Sequence, residues 1–209
     1  MDGKEAIDHI EKNNVQGCIV ECGVYEGKQE RLFITRLNEL NAQPRHIFMY
    51  DTFEGMVAPA ENDFTHNDAV LYHLSVQGIY DLWLQNQRRD HNELCYCSLE
   101  NVKRNLNSLG YPQEFLHYIK GKVQDTLIDV DFLPKEPIAI LRLDTDWYES
   151  SKIELEILYP LVATNGVVII DDYFHWAGQR KAVDEYLAFH NIPNTIQRID
   201  EHVGFFIKT

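Results

Sequence analysis

The chain has 209 residues, 44% of them apolar and 25% charged, the proportions of one soluble folded domain and not of a disordered or fibrous chain. A formal net charge of −14 would repel a phosphate backbone, and Lys103-Arg104 and Arg180-Lys181 are isolated basic pairs on solvated helix faces, so nucleic acid is excluded as a partner. The polar start Met1-Asp2-Gly3-Lys4-Glu5, and the lack of any run near the roughly 20 apolar residues that cross a bilayer, predict a cytoplasmic protein with no membrane partner.

The first predicted strand, Cys18 to Glu21, runs into Val20-Glu21-Cys22-Gly23-Val24-Tyr25-Glu26-Gly27. An acid and two glycines at the carboxyl end of a strand, just before a helix, stand where doubly wound sheets bind nucleotides. Glycine there lets the backbone approach a ligand, and the helix start offers free N–H donors. The spacing lacks the middle glycine of a dinucleotide fingerprint, which favours a ligand without a pyrophosphate; a purely structural turn is the plainer alternative. A helix follows over Gln29 to Leu40. The second strand, Ile47 to Asp51, ends in Met49-Tyr50-Asp51 and puts an acid where such folds bind ribose hydroxyls. A lone Asp at a strand end more often caps a helix, so the weight of Asp51 comes from its register with Glu21.

Residues 56–97 are rich in His, Asn, Asp and aromatics and too long for a simple connection. They are expected to form a lid or substrate insertion with a helix of its own around Ala69 to Leu84. Beyond them the pattern gives a helix over Leu99 to Leu109 closed by Gly110, strands over Leu116 to Lys120 and Ile138 to Leu143, and a helix over Ser150 to Tyr159. A strand over Val167 to Ile170 follows, then a helix over Arg180 to His190 marked off by Gly178, then a terminal hairpin of Thr195 to Ile199 and Val203 to Ile207. The near-continuous apolar runs of the central strands require helices on both faces of the sheet. Alternation of strand and helix implies right-handed crossovers. The expected fold is α/β, a Rossmann-like, seven-stranded, doubly wound sheet with its last strand antiparallel, in a single domain over residues 1–209. Cys18, Cys22, Cys95 and Cys97 are expected as free thiols.

The fourth strand passes into Leu143-Asp144-Thr145-Asp146-Trp147 and the fifth into Ile170-Asp171-Asp172-Tyr173. Four carboxylates at one sheet edge raise one another's pKa values and destabilise the fold unless a cation or basic group neutralises them. Hard oxygen ligands in this number suit magnesium or calcium, whereas the plainer reading makes them helix caps near Glu149 and Gly178. If the chain stays extended, Asp144 and Asp146 face one crevice, which makes Asp146 the first candidate for a general base, with Asp144 and His175 as further catalytic candidates. Arg142, inside an apolar strand, reads as a core ion pair without an assigned role.

On these residues the chain resembles the macrocin O-methyltransferase (TylF-type) family of class I, S-adenosylmethionine-dependent methyltransferases, which methylate sugar hydroxyls of macrolides and hydroxyls of related natural products. The resemblance rests on Val20-Glu21-Cys22-Gly23-Val24, Asp51-Thr52-Phe53-Glu54-Gly55-Met56, Leu143-Asp144-Thr145-Asp146-Trp147-Tyr148-Glu149-Ser150, and Ile170-Asp171-Asp172-Tyr173 through Arg180-Lys181-Ala182-Val183-Asp184-Glu185-Tyr186. It implies S-adenosylmethionine as methyl donor and dependence on Mg2+. By the same resemblance, Glu21 and Gly23 flank the methionine part of the cofactor, Asp51 the ribose and Gly121-Lys122-Val123 the adenine side, with Tyr25, Gly27 and Thr52 as further cofactor-binding residues. Asp144, Asp171 and Asp172 correspond to the metal ligands, Asp144 lying beside the cofactor as well. The family's second glycine and small residue after Gly27 are replaced by Lys28 and Gln29, which would reshape the pocket for the cofactor's carboxylate. The implied partner is a small-molecule hydroxyl or sugar acceptor; separately, a long lid on a small enzyme predicts a second copy in a homodimer that completes the site. An NAD-dependent Rossmann oxidoreductase and a non-catalytic S-adenosylmethionine-binding protein are the alternatives, and neither gives the carboxylate cluster a role.

Overall fold

A computed structural model describes residues 2–66, 73–129 and 131–209. The chain opens with α1 (Gly3–Lys12), which the sequence reading passed over as a polar stretch. Its start is fixed by a reciprocal cap: the Glu5 N–H donates to the Asp2 carboxylate and the Asp2 N–H donates to that of Glu5, both at 2.9 Å. Ala6, Ile7 and Ile10 then bury one stripe of the helix.

β1 (Cys18–Cys22), α2 (Lys28–Glu39) and β2 (Ile47–Asp51) follow as expected, and the long excursion contains α3 (Val76–Asn86). The early part of the helix expected around Ala69 to Leu84 lies outside the described residues up to position 72. After it come α4 (Leu99–Asn107), β3 (Leu116–Lys120), the one-turn α5 (Val123–Thr126), β4 (Ile138–Leu143), α6 (Tyr148–Leu158), β5 (Val162–Ile170), α7 (Ala177–Phe189), β6 (Gln197–Arg198) and β7 (Gly204–Ile207).

The seven strands form one sheet in the order β3-β2-β1-β4-β5-β7-β6, with β1 to β5 parallel and β7 antiparallel to β5. Alternate residues of each central strand face opposite sides, as the pleat demands. Ile19, Ile140, Val167 and Ile169 pack with Ile7, Phe33, Ile34 and Leu106 from α1, α2 and α4. Val20, Leu141, Val168 and Ile170 pack with Leu155, Leu158, Val183 and Leu187 from α6 and α7. Burial on both faces explains why these strands read as unbroken apolar runs.

Two boundaries differ from expectation for a physical reason. β5 begins five residues earlier than expected, and its pairing with β4 shifts between Ile138↔Val162 and Ile140↔Val167, so the strand carries an irregularity that the apolar pattern conceals. Gly178 does not mark off α7 but lies inside its first turn. A Cβ there would sit 2.2 Å from Oδ1 of Asp63 and 3.0 Å from the Tyr148 N, so glycine is required by close approach of the excursion and not by helix termination.

Candidate active site

In the order β3-β2-β1-β4-β5 the connections run outward in opposite directions from β1 and β4, and doubly wound sheets bind ligands beyond the carboxyl ends of the strands at that point. A cavity of about 300 Å³ opens there. Of the residues singled out from the sequence, Gly23, Tyr25, Asp51, Thr52, Lys122, Val123, Asp144, Asp146, Asp171 and Asp172 line it. Glu21, Gly27 and His175 do not line it.

The β1 turn is built around Gly23 and Asp51. Gly23 has φ +87°, and a Cβ on it would lie 2.0 Å from the Asp144 carbonyl oxygen, so only glycine lets the ends of β1 and β4 close together. Oδ2 of Asp51 accepts from the N–H groups of Val24 at 2.7 Å and Tyr25 at 3.0 Å, while Oδ1 accepts from the Phe53 N–H at 2.6 Å. Asp51 therefore organises the loops after β1 and β2 in addition to facing the cavity. Gly27, with φ +77°, serves as the N-cap of α2.

The acids after β4 and β5 meet as expected. One carboxylate oxygen from each of Asp144, Asp171 and Asp172 lies within 4.8 Å of the others. Burial first, and then the Asp171 and Asp172 charges, push the Asp144 carboxyl well above the usual range against the opposing pull of Arg142. Burial and the Asp171 charge raise Asp172 to about 6. Asp146 is raised by burial and by the charges of Asp172 and Asp144. The chain does not stay extended there: Asp146 has φ +68° and the Trp147 N–H donates to the Thr145 carbonyl at 2.7 Å, a tight turn about a non-glycine residue in the left-handed region. That turn still leaves Asp144 and Asp146 on the same cavity wall.

The basic group that neutralises part of this cluster is Arg142. Its guanidinium donates to Glu21, to Asp144 and to Asp171, which makes the expected core ion pair a four-membered network. Burial alone would lower its pKa, but the charges of Asp144, Glu21 and Asp171 hold it well above the ordinary value. The period-2 spacing of Arg142 and Asp144 on one strand was the available signal for this contact. His175 is a buried ring against Trp176 and His202, its backbone N–H donates to the Asp172 carbonyl at 2.9 Å, and burial and then His202 lower its pKa. It supports the acid loop from behind.

The excursion is tied to the site at several points that sequence reasoning missed. Asp63, 1% exposed, accepts from the Tyr148 N–H at the start of α6 at 2.9 Å and from the Ala60 N–H at 2.7 Å. The Trp147 indole donates to the Val57 carbonyl at 3.0 Å, and Thr65 bridges to Trp176. Met56, Val57 and Cys95 contribute to the cavity wall. No helix of the described residues is long and apolar enough to cross a membrane.

Residues 2–208 match the family described as macrocin-O-methyltransferase (TylF). The chain is 29% identical over 206 residues to demethyldecarbamoylnovobiocin O-methyltransferase of Streptomyces niveus, covering 99% of this chain and 71% of that one. It is 28% identical over 194 residues to the 8-demethyl-8-(2,3-dimethoxy-alpha-L-rhamnosyl)-tetracenomycin-C 4'-O-methyltransferase of Streptomyces olivaceus, covering 93% and 67% respectively. The solved structure of the O-methyltransferase NovP superposes with a TM-score of 0.81 at 27% identity, over 99% of this chain and 78% of that chain.

Proposed function

From the premise that the chain belongs to the macrocin O-methyltransferase family, we propose that it methylates a sugar hydroxyl of a small glycosylated compound in a reaction that depends on Mg2+. As a member it is an S-adenosylmethionine-dependent O-methyltransferase on a class I fold, which sets aside the oxidoreductase and non-catalytic alternatives. The relatives' own names are those of enzymes acting on novobiocin-type and rhamnosyl-tetracenomycin compounds, and this supports a glycosylated acceptor.

The observation that carries the metal dependence is the convergence of Asp144, Asp171 and Asp172 oxygens within 4.8 Å on the wall of the cavity. Three carboxylates with one guanidinium among them remain net negative, and hard anionic oxygens fit a small divalent cation. When bound, S-adenosylmethionine supplies an electrophilic methyl group and Mg2+ supplies a Lewis acid that lowers the pKa of a hydroxyl. The residues of the chain do the rest. Asp51 and Thr52 at the end of β2, with Lys122 and Val123 after β3, form the wall suited to the nucleoside part of the donor. Asp146, which lines the cavity and is raised in pKa by burial and then by the Asp172 and Asp144 charges, is the base in this reading that takes the acceptor proton. Met56, Val57, Cys95 and Trp147 give the acceptor end an apolar wall, so residues 56–97 serve as its cover.

Calorimetry with S-adenosylmethionine, with and without Mg2+, followed by a methylation assay on a panel of glycosylated compounds, tests this reading. Donor binding with methyl transfer to a sugar hydroxyl only when Mg2+ is present is expected. Transfer that survives complete chelation removes the metal, and transfer to a non-glycosylated hydroxyl only removes the sugar.

A further inference from the structure

Arg142 has no counterpart in the chemistry assigned above, yet it stands at the centre of the acid cluster with its side chain only 6% exposed. On β4 it lies opposite Glu21 of β1 in the strand register, and Asp144 follows two residues later, just past the end of that strand. Its Nη1 donates to Oε1 of Glu21 and, at 2.6 Å, to Oδ2 of Asp144, while its Nη2 donates to Oδ1 of Asp171. One planar fork thus fixes one oxygen of each of two acids that leave adjacent strands. Lysine, a single point of charge, cannot reproduce that bridge.

The same Nη1 is tied to the interior through Glu21, while Nε, also buried, has no partner among the described residues. Glu21 is 1% exposed and Glu30, reaching in from α2, is fully buried. Oε2 of Glu21 and both carboxylate oxygens of Glu30 are buried with no hydrogen-bond partner among the described residues, and burial and then the Glu30 charge push the Glu21 carboxyl well above the usual range against the pull of Arg142. A guanidinium buried among Glu21, Asp144 and Asp171 has no reason to leave for solvent.

Resting on the magnesium reading, we propose that Arg142 is a positioning residue: it holds Asp144 and Asp171 in the orientation that presents their remaining oxygens to the metal, and Glu21, backed by Glu30, holds Arg142.

The test measures Mn2+ affinity directly from its paramagnetic resonance signal, in wild type, Arg142→Lys and Glu30→Gln, each checked for folding by circular dichroism. In Arg142→Lys the dissociation constant for Mn2+ is expected to rise by about tenfold or more, the usual consequence of losing a group that orients metal ligands, with S-adenosylmethionine affinity unchanged. Glu30→Gln can donate its amide to Glu21 and is expected to stay near wild type. A folded Arg142→Lys with wild-type Mn2+ affinity overturns the positioning role while leaving the magnesium reading intact; wild type that binds no Mn2+ overturns both. Should Arg142→Lys not fold, the crystal structure of the wild-type protein with Mn2+ decides. Arg142 bonded to both Asp144 and Asp171 beside the ion is expected, and a guanidinium swung away from them overturns the proposal.

Discussion

Thr145 donates its hydroxyl to Oε1 of Glu154 at 2.7 Å, which ties the turn between Asp144 and Asp146 to the interior of α6. Glu154 is fully buried, its Oε2 has no partner among the described residues, and burial raises its pKa to about 8, opposed by the Thr145 bond. A neutral Glu154 is therefore the form that the fold accommodates.

A pH dependence of stability follows from that group. Its carboxyl ionises near 4.5 in the ordinary state and near 8 when folded, so between these values the folded chain holds a proton that the unfolded chain has released. Its contribution is fully present below the lower value and is lost as pH rises through the upper one. Glu154→Gln keeps an acceptor for Thr145 but cannot ionise. Relative to wild type it should gain stability on going from pH 5 to pH 8, by something on the order of a few kcal/mol. Urea denaturation of both proteins at the two pH values checks this; parallel behaviour would show that Glu154 is not neutral in the folded chain.

Asp51→Ala removes the shared acceptor of the Val24, Tyr25 and Phe53 N–H groups. Leaving such donors unpaired costs roughly 1–3 kcal/mol each when they are buried, so the melting temperature should fall. S-adenosylmethionine affinity should fall by about tenfold or more, since one hydrogen bond to a charged group is worth about 1.5–3 kcal/mol. Calorimetry and thermal melting read the two effects separately. Unchanged affinity in a destabilised protein would reduce Asp51 to a loop organiser.

Asp63→Ala tests how the excursion is held. It strips the acceptor from the Tyr148 and Ala60 N–H groups on the two sides of the contact. Cleavage within residues 56–97 under limited proteolysis should accelerate, and methyl transfer should slow, while the sheet stays folded by circular dichroism. Wild type should in turn become more resistant there when donor and acceptor are both present. Equal cleavage in every state would argue against a cover that closes over substrate.

The sheet was readable because strands buried on both faces leave unbroken apolar runs such as Ile138-Ala139-Ile140-Leu141, and the acids at their carboxyl ends stand out against those runs. α1 was not readable as a helix from composition, because its apolar stripe is only Ala6, Ile7 and Ile10 among charged residues, and its cap depends on the paired Asp2 and Glu5 bonds. The acid cluster was legible and Arg142 read as a core ion pair, but its partners were not: Arg142 meets Glu21 and Asp171 through strand register, which a single sequence does not carry. Asp63, Glu30 and Glu154 escaped for the same reason. Asp63 acts through a contact 85 residues away in the chain, and for Glu30 and Glu154 nothing local separates a buried acid from a solvated one.

The central claim is that Asp144, Asp171 and Asp172 hold a magnesium ion on which methyl transfer depends. The most direct measurement is turnover of wild type, Asp171→Ala and Asp172→Ala with a labelled methyl donor and a sugar acceptor, after chelation and again after Mg2+ is restored. Wild type should lose activity on chelation and regain it with Mg2+, while both variants stay at least about a hundredfold slower throughout and still bind S-adenosylmethionine. Full turnover by wild type in excess chelator, or by Asp171→Ala under any condition, would contradict the account.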